Sequence, residues 1–384
     1  MTQAVRGLVC EAVAALKPYE PGKPIEEVER ELGVKDALKL ASNENAWGPS
    51  PRAIEAAVAA IAPQPGAVSK LALYPDAACH ALRADLAAHH GVPMSEIVVG
   101  NGSNELIGLI VRAFVQPGES VATSAGSFVA YRIAARSHGH RFIEAPLGAD
   151  FGYDLDALLA AVDESTRVVF IANPNNPTGT LIGHAALARF LEALDKRCAG
   201  PAGPPIVALD EAYIDFVDRE DGPRGLELFR ARPRTVLLRT FSKAYGLAAL
   251  RVGYAICAPD IADYLHRVRD PFNVNSVGQV AARAALGDLD WVRSAVAEAR
   301  GERAWLELAL GEMGLAVVPS QANFVLVDLG RDGRQVYEAL MHQGVIARPV
   351  GPSGLPHHLR ITVGRRFEME RCIQALRAVL GHPT

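Results

Sequence analysis

Four polar clusters in this sequence have the residue types and spacing to do chemistry. NPNNPTG runs from Asn173 to Gly179, DEAY from Asp210 to Tyr213, and TFSKAYGLAALR from Thr240 to Arg251. Each follows a short run rich in Val, Ile and Leu, and in open α/β sheets ligands bind beyond the carboxyl ends of the strands. These three are therefore expected to converge. The fourth, GNGSNE from Gly100 to Glu105, puts Gly-Ser-Asn just before a helix-like stretch, where free backbone N–H groups suit a phosphate. Singly, each is ambiguous. NPNNPTG has the composition of a plain turn. IVALDEAY could be the metal-binding strand of a nucleotide hydrolase, but the G-x-x-x-x-G-K-[ST] loop this requires is missing, since Gly22-Lys23 is followed by Pro24. GNGSNE carries two glycines of a dinucleotide fingerprint and Glu105 in place of the third.

The elements that must hold these clusters are strands alternating with helices. Strands are expected at Ile97–Val99, Val168–Ala172, Ile206–Leu209, Val236–Leu238 and Val252–Ile256, short and bounded by Pro, Gly or Asp, as in a buried parallel or mixed sheet. A helix is expected over Glu105–Val115, where Leu106, Ile107, Ile110, Val111 and Phe114 form one apolar stripe. From about Val280 to Gly311 the sequence reads as a long helical stretch. Strand-like AVVPSQANFVLVDL and HLRITVG follow, with helices between and after them, as in a second, smaller α+β domain. The first 45 residues, with PYEPGKP and the helix-like IEEVERELG, read as an arm lying on something else.

Composition bounds the function. The 384 residues are 49% hydrophobic and 21% charged, with 39 Lys plus Arg against 43 Asp plus Glu. That balance is globular, and without a basic tract it argues against a nucleic-acid partner. No apolar run is long enough for a membrane span, and the N-terminus reads as mature protein. The five cysteines, Cys10, Cys79, Cys198, Cys257 and Cys372, are scattered and form no CxxC pair, which fits reduced thiols of a cytoplasmic protein. The neighbouring pairs His89-His90 and His357-His358 have no ligand-spaced partner, so no metal is expected.

In this order, the clusters resemble those of fold-type I aminotransferases dependent on pyridoxal phosphate, and among these the histidinol-phosphate aminotransferases. The resemblance runs nearly end to end, through PYEPGKP, LASNENAWGPSP, LYP, GNGSNELI, SFVAYR, NPNNPTG, DEAY, RTFSKAYGLAALRVG, PFNVNS, SQANFVLV and GLPHHLRITVG. It implies an α/β fold with a large cofactor domain, built on a mostly parallel mixed sheet, at 46–280. A smaller α+β domain would occupy 281–384, with the arm 1–45 associated with it.

The resemblance also assigns roles. Lys243 is the expected Schiff-base lysine and proton shuttle. Asp210 would hold the pyridinium N–H, Tyr213 and Asn176 the 3-oxygen of the cofactor, and Phe128 would stack on its ring. Gly102, Ser103, Asn104, Thr240, Ser242 and Arg251 would receive the phosphate, joined by Tyr74 from a neighbouring subunit of a homodimer. Arg360, Arg348, Tyr19 and Asn45 are the implied substrate contacts, with Arg360 serving the carboxylate of glutamate and the phosphate of histidinol phosphate in turn. The implied reaction is a ping-pong transamination of histidinol phosphate with 2-oxoglutarate in histidine biosynthesis. Two positions depart from the family pattern: Ala46 replaces a proline and Phe272 a tyrosine. They leave room for the related aromatic amino acid aminotransferases. A lyase of the threonine-phosphate decarboxylase kind is a third reading. A non-catalytic regulator would need a DNA-binding extension, and the resemblance starting at about Tyr19 leaves it no room.

Overall fold

The computed structural model describes residues 7–16, 18, 22–62, 68, 70–200 and 203–381. After a helix at Ile25–Leu32, a two-residue strand β1 (Leu38–Lys39) pairs in parallel with a strand far along the chain at Val345–Ile346. Val28 of that helix is buried against Ala37, Ala41, Met341 and Ile346, so the segment is fixed to the C-terminal part by its apolar side.

Seven strands then build the central sheet: β2 (Ile97–Gly100), β3 (Ser120–Ser124), β4 (Arg141–Ala145), β5 (Thr166–Ala172), β6 (Ile206–Asp210), β7 (Thr235–Thr240) and β8 (Gly253–Ile256). Their spatial order is β2-β8-β7-β6-β5-β3-β4. Only β8 is antiparallel to its neighbours, so the sheet is mixed and mostly parallel, the expected α/β fold. Separate apolar cores cover the two faces. The five strands expected from sequence all form. β3 and β4 were not expected, and their composition explains why. β3 reads SVATS, and its buried hydroxyls are satisfied locally: Thr123 Oγ1 donates to the Phe170 carbonyl at 2.8 Å and Ser120 bonds Thr166. β4 is an edge strand in which only Ala145 is fully buried.

The helix expected from Glu105 runs from Ser103 to Phe114. The expected single helical stretch beyond Val280 is two helices, Ser276–Leu286 and Leu289–Glu312, broken at Gly287-Asp288. The second is 24 residues long and joins two cores. Val292, Val296 and Ala299 belong to the core of the central sheet, while Leu306, Ala309 and Leu310 belong to that of a smaller sheet. Strands β9 (Ala316–Val318), β10 (Phe324–Asp328), β11 (Val345–Ile346), β12 (Arg348–Pro349) and β13 (His358–Thr362) complete the chain, and four of them form an antiparallel sheet in the order β12-β13-β10-β9. Trp47 packs against both cores, and its Nε1 donates to Glu298 at 2.6 Å, midway along the 24-residue helix. Among the described residues no helix is long and apolar enough to cross a membrane.

Candidate active site

β5, β6 and β7 lie side by side and parallel, so the clusters that follow them emerge at one edge of the sheet. Asp210 closes β6 and is paired in register with Ala172, the last residue of β5. Its carbonyl accepts from the Asn173 N–H at 2.9 Å, which fixes the start of NPNNPTG beside DEAY. The Asp210 carboxylate is 5% exposed. Oδ2 accepts from the Tyr131 hydroxyl at 2.7 Å and Oδ1 from the Ala212 N–H at 3.1 Å. Burial pushes this carboxyl up to about 6, with the Tyr131 bond pulling the other way. Among the described residues no Lys, Arg or His comes within ion-pair distance of it. This is a carboxylate kept ready for a cationic or N–H-bearing group.

Lys243 lies beyond β7 in the turn after Ser242. Its Nζ donates to the carbonyls of Ser42 and Asn43 at 3.1 and 3.2 Å and sits 5.7 Å from the centre of the Tyr213 ring. Burial, aided by the nearby Arg360 charge, brings the amine down to about 7. A neutral amine is a nucleophile and a base, so Lys243 has both functions available at ordinary pH. The turn around it is fixed by close backbone approach. Gly246 has φ +69°, and a Cβ there would fall 2.6 Å from the Gly48 backbone. Asn45 reinforces the contact by donating to the Ala244 carbonyl at 2.9 Å, while its Oδ1 accepts from the Trp47 N–H. Its amide is thus used on main chain. The departure at Ala46 lies in this turn, and its carbonyl accepts from Arg365.

An anion cradle forms where β8 meets the helix starting at Ser103. Gly102 caps that helix with φ +76°, and a Cβ on it would come 2.6 Å from Arg251 Nη2, so the guanidinium occupies the space a side chain would take. Arg251 Nη1 in turn donates to Ser242 Oγ at 3.2 Å. Thr240 Oγ1 accepts from the Ser242 N–H at 3.1 Å. Gly102, Ser103, Thr240, Ser242 and Arg251 are therefore gathered, and Asn104 is exposed at the second helical position. Glu105, the residue that breaks the dinucleotide fingerprint, braces this corner: its Oε2 accepts from the Asn101 N–H and from Asn273, both at 2.6 Å.

The smaller sheet carries two arginines at paired positions. Arg348 on β12 and Arg360 on β13 are cross-strand partners, so their side chains leave the same face about 5 Å apart at Cβ. Arg360 donates to Asn176 Oδ1 and to the Ala41 carbonyl, both at 2.6 Å. Asn176 is thereby linked to the smaller sheet. Phe128 immediately precedes helix Val129–Ser137, and its ring meets Tyr131 edge-to-face at 5.8 Å. Tyr74 is not brought to this cluster by its own chain. It is 81% exposed and stacks on Phe272 at 4.5 Å. Tyr19 lies outside the described residues.

Sequence reasoning passed over Tyr131, Asn43 and Asn323. Asn43 has φ +54° and donates to the Tyr213 phenol oxygen at 2.9 Å. Its main-chain carbonyl accepts from Asn323 Nδ2 at 3.1 Å. All three lie in segments that the family resemblance covers, SFVAYR, LASNENAW and SQANFVLV, yet each looks like an ordinary core or turn residue until its partner is known.

The donor set fits a flat ligand with a ring nitrogen at one end and a phosphate at the other. A buried carboxylate with acceptor capacity to spare stands at the first end, a guanidinium, two hydroxyls and a helix start at the second, and an amine brought down to about 7 belongs to the same cluster. A model of the family described as aminotransferase class I and II matches residues 35–376. A histidinol-phosphate aminotransferase of Anaeromyxobacter sp. (strain Fw109-5) is 52% identical over 375 residues, covering 97% of this chain and 99% of its own. One of Moorella thermoacetica is 45% identical, covering 97% and 92%. The histidinol-phosphate aminotransferase of Sinorhizobium meliloti, solved in complex with pyridoxal-5'-phosphate, superposes with a TM-score of 0.85 at 32% identity, covering 97% of each chain. This chain belongs to the class I and II aminotransferase family and is a pyridoxal-phosphate-dependent aminotransferase.

Proposed function

We propose that the enzyme transfers the amino group between histidinol phosphate and 2-oxoglutarate, as a step of histidine biosynthesis. The relatives named above support this at 52% and 45% identity over nearly the whole chain. The observation that carries it here is the facing pair Arg348 and Arg360. Like charges directly opposite on a sheet repel, and an anion held by both would relieve that repulsion. Two guanidiniums suit a dianionic phosphate, and Arg360 alone suffices for one carboxylate of glutamate. One site can thus take both substrates in turn.

When bound, pyridoxal phosphate supplies an aldehyde for the amino group and a ring that withdraws electrons from the substrate Cα. The residues of this chain bind and orient around it. Thr240, Ser242, Arg251 and the helix start at Gly102, Ser103 and Asn104 would hold its phosphate, and Asp210 its ring nitrogen. Phe128 would cover the ring face, while Tyr213 and Asn176 would contact the ring oxygen. Lys243 Nζ, brought down to about 7 by burial and so partly neutral near pH 7, would attach to the aldehyde and would be available to carry a proton to and from the substrate Cα. Arg360, through Asn176, ties substrate binding to that ring oxygen.

The chain is read as a cofactor unit at 46–280 and a smaller unit at 281–384, with the arm 1–45 on the latter. The β1–β11 pairing supports the placement of the arm. A homodimer is part of the proposal: Tyr74 would reach the phosphate of a neighbouring subunit, in keeping with its 81% exposure. A cytoplasmic location follows from the biosynthetic role. Kinetics of Arg348→Gln test the substrate assignment. The expected result is a loss of kcat/KM for histidinol phosphate of about tenfold or more, one charged hydrogen-bonding group, with little change for phenylalanine. Equal losses for both would refute it.

A further inference from the structure

Tyr131 is fully buried, and among the described residues its hydroxyl has one acceptor oxygen, Asp210 Oδ2, at 2.7 Å. Its ring has no freedom. It lies parallel to Phe170 at 4.6 Å with an interplanar angle of 3°, and Phe128 meets it edge-on at 5.8 Å and 88°. The sheet register explains the arrangement. Phe170 pairs with Ala208 and Ala172 with Asp210, so Phe170 and Asp210 stand on the same face of β5 and β6, two residues apart along the strands. A ring stacked flat on Phe170 can therefore extend its hydroxyl to the carboxylate. Phe128 and Tyr131 are three apart at the start of one helix, which puts both on one side of it.

One side chain thus touches both groups assigned above to the cofactor ring: the aromatic over its face and the carboxylate at its nitrogen. We propose that Tyr131 is a positioning residue, which fixes the rotamer of Asp210, keeps that carboxylate ionised and supports the edge of Phe128. The inference rests on the assignment of Asp210 to the ring nitrogen. Its chemistry is specific. A phenol O–H donated to a carboxylate stabilises the charged form over the neutral one, opposing the burial that favours protonation. Asp210 Oδ2 retains a second lone pair, and Oδ1 spends only one on the Ala212 N–H, so room remains for a ring N–H.

The test is the affinity of the cofactor-free protein for pyridoxal phosphate as a function of pH, read by absorbance for wild type, Tyr131→Phe, Phe170→Leu and Asp210→Asn. Tyr131→Phe keeps the ring and removes the hydrogen bond. It is expected to weaken binding about tenfold near pH 6, the size of one hydrogen bond to a charged group. The loss should shrink toward pH 9, so that the acid limb of the profile moves up by about one pH unit. Phe170→Leu loosens the packing and keeps the hydroxyl, so any loss should be the same at every pH. A pH-independent loss in Tyr131→Phe, or none, while Asp210→Asn binds weakly, would overturn the positioning role. Unchanged binding in Asp210→Asn would overturn the assignment of Asp210 and the inference with it. Should Tyr131→Phe fold poorly, wild type labelled with fluorotyrosine, a stronger donor, gives the opposite shift of the acid limb if the role is correct and no shift if it is not.

Discussion

Asn43 donates a 2.9 Å hydrogen bond to the phenol oxygen of Tyr213, across 170 positions of sequence. Its side-chain Oδ1 accepts from the Thr362 hydroxyl on β13, and the Asn43 main-chain N–H donates to that hydroxyl at 2.9 Å. The Asn43 main-chain carbonyl accepts from Lys243 and Asn323. Arm, smaller sheet and central sheet therefore meet at one asparagine held at φ +54°. The backbone matters as much as the amide. Asn43→Gly keeps the conformation and loses the side-chain bonds, which together are worth about 2 kcal/mol. Asn43→Ala adds about 1 kcal/mol of left-handed strain. Both should melt below wild type, and the alanine variant lowest. Melting of the alanine variant at or above the glycine one would contradict the strain argument.

The depressed Lys243 amine has a signed consequence for the cofactor-free protein. Unfolded, a lysine holds its proton up to about pH 10.5, whereas folded Lys243 releases it near 7. Between those values unfolding takes up a proton, so this group makes stability rise with pH, and below pH 7 its full cost is present. Lys243→Met should therefore raise the melting temperature most at pH 6 and progressively less toward pH 10. Thermal scans at pH 6 and 9 decide it; a larger gain at pH 9 would show the sign to be wrong.

Gly253 on β8 admits no side chain. A Cβ there would lie 2.3 Å from the Ser103 nitrogen and 2.6 Å from the Gly102 carbonyl carbon, at the helix start proposed to receive the phosphate. Gly253→Ala should displace that helix start, at a cost of about 1–3 kcal/mol in overpacking. It should weaken binding of pyridoxal phosphate much more than that of pyridoxal. Equal weakening of the two would place the phosphate elsewhere.

Arg360→Ala should raise the KM for glutamate and for histidinol phosphate together, each by about tenfold or more, since one guanidinium is proposed to hold both anions. A selective effect on either substrate would separate the two sites.

Tyr74 is proposed to act across a subunit boundary. Variants Tyr74→Phe and Lys243→Ala, each weak or inactive alone, should yield mixed dimers in which one site holds neither substitution. Recovered activity on mixing and refolding is the expected result; its absence would return Tyr74 to its own chain.

Much of this architecture could be read from the chain because strand-end chemistry leaves a local trace. Asp210 and Lys243 each come at or just after the end of a Val/Ile/Leu-rich run and Arg251 just before one, and β5, β6 and β7 end where the clusters begin. β3 escaped notice because only Val121 and Ala122 of its five buried residues are apolar, and the hydroxyls of Ser120 and Thr123 find partners only in the folded sheet. The break at Gly287-Asp288 escaped because Ala- and Arg-rich sequence on both sides has the same helical period. Tyr131 and Asn43 were invisible for another reason. Their importance lies in a partner 79 and 170 positions away, which no local pattern encodes. The Arg348–Arg360 pairing was likewise a matter of register, fixed only when β12 meets β13.

The choice of substrate is the central claim, and kcat/KM measures it directly. Both histidinol phosphate and phenylalanine should be assayed as amino donors with 2-oxoglutarate under the same conditions. The expected result is a preference for histidinol phosphate of about 100-fold or more, because a phosphate engages both Arg348 and Arg360 where a carboxylate needs one. An equal or higher kcat/KM for phenylalanine would contradict the assignment and make the enzyme an aromatic amino acid aminotransferase.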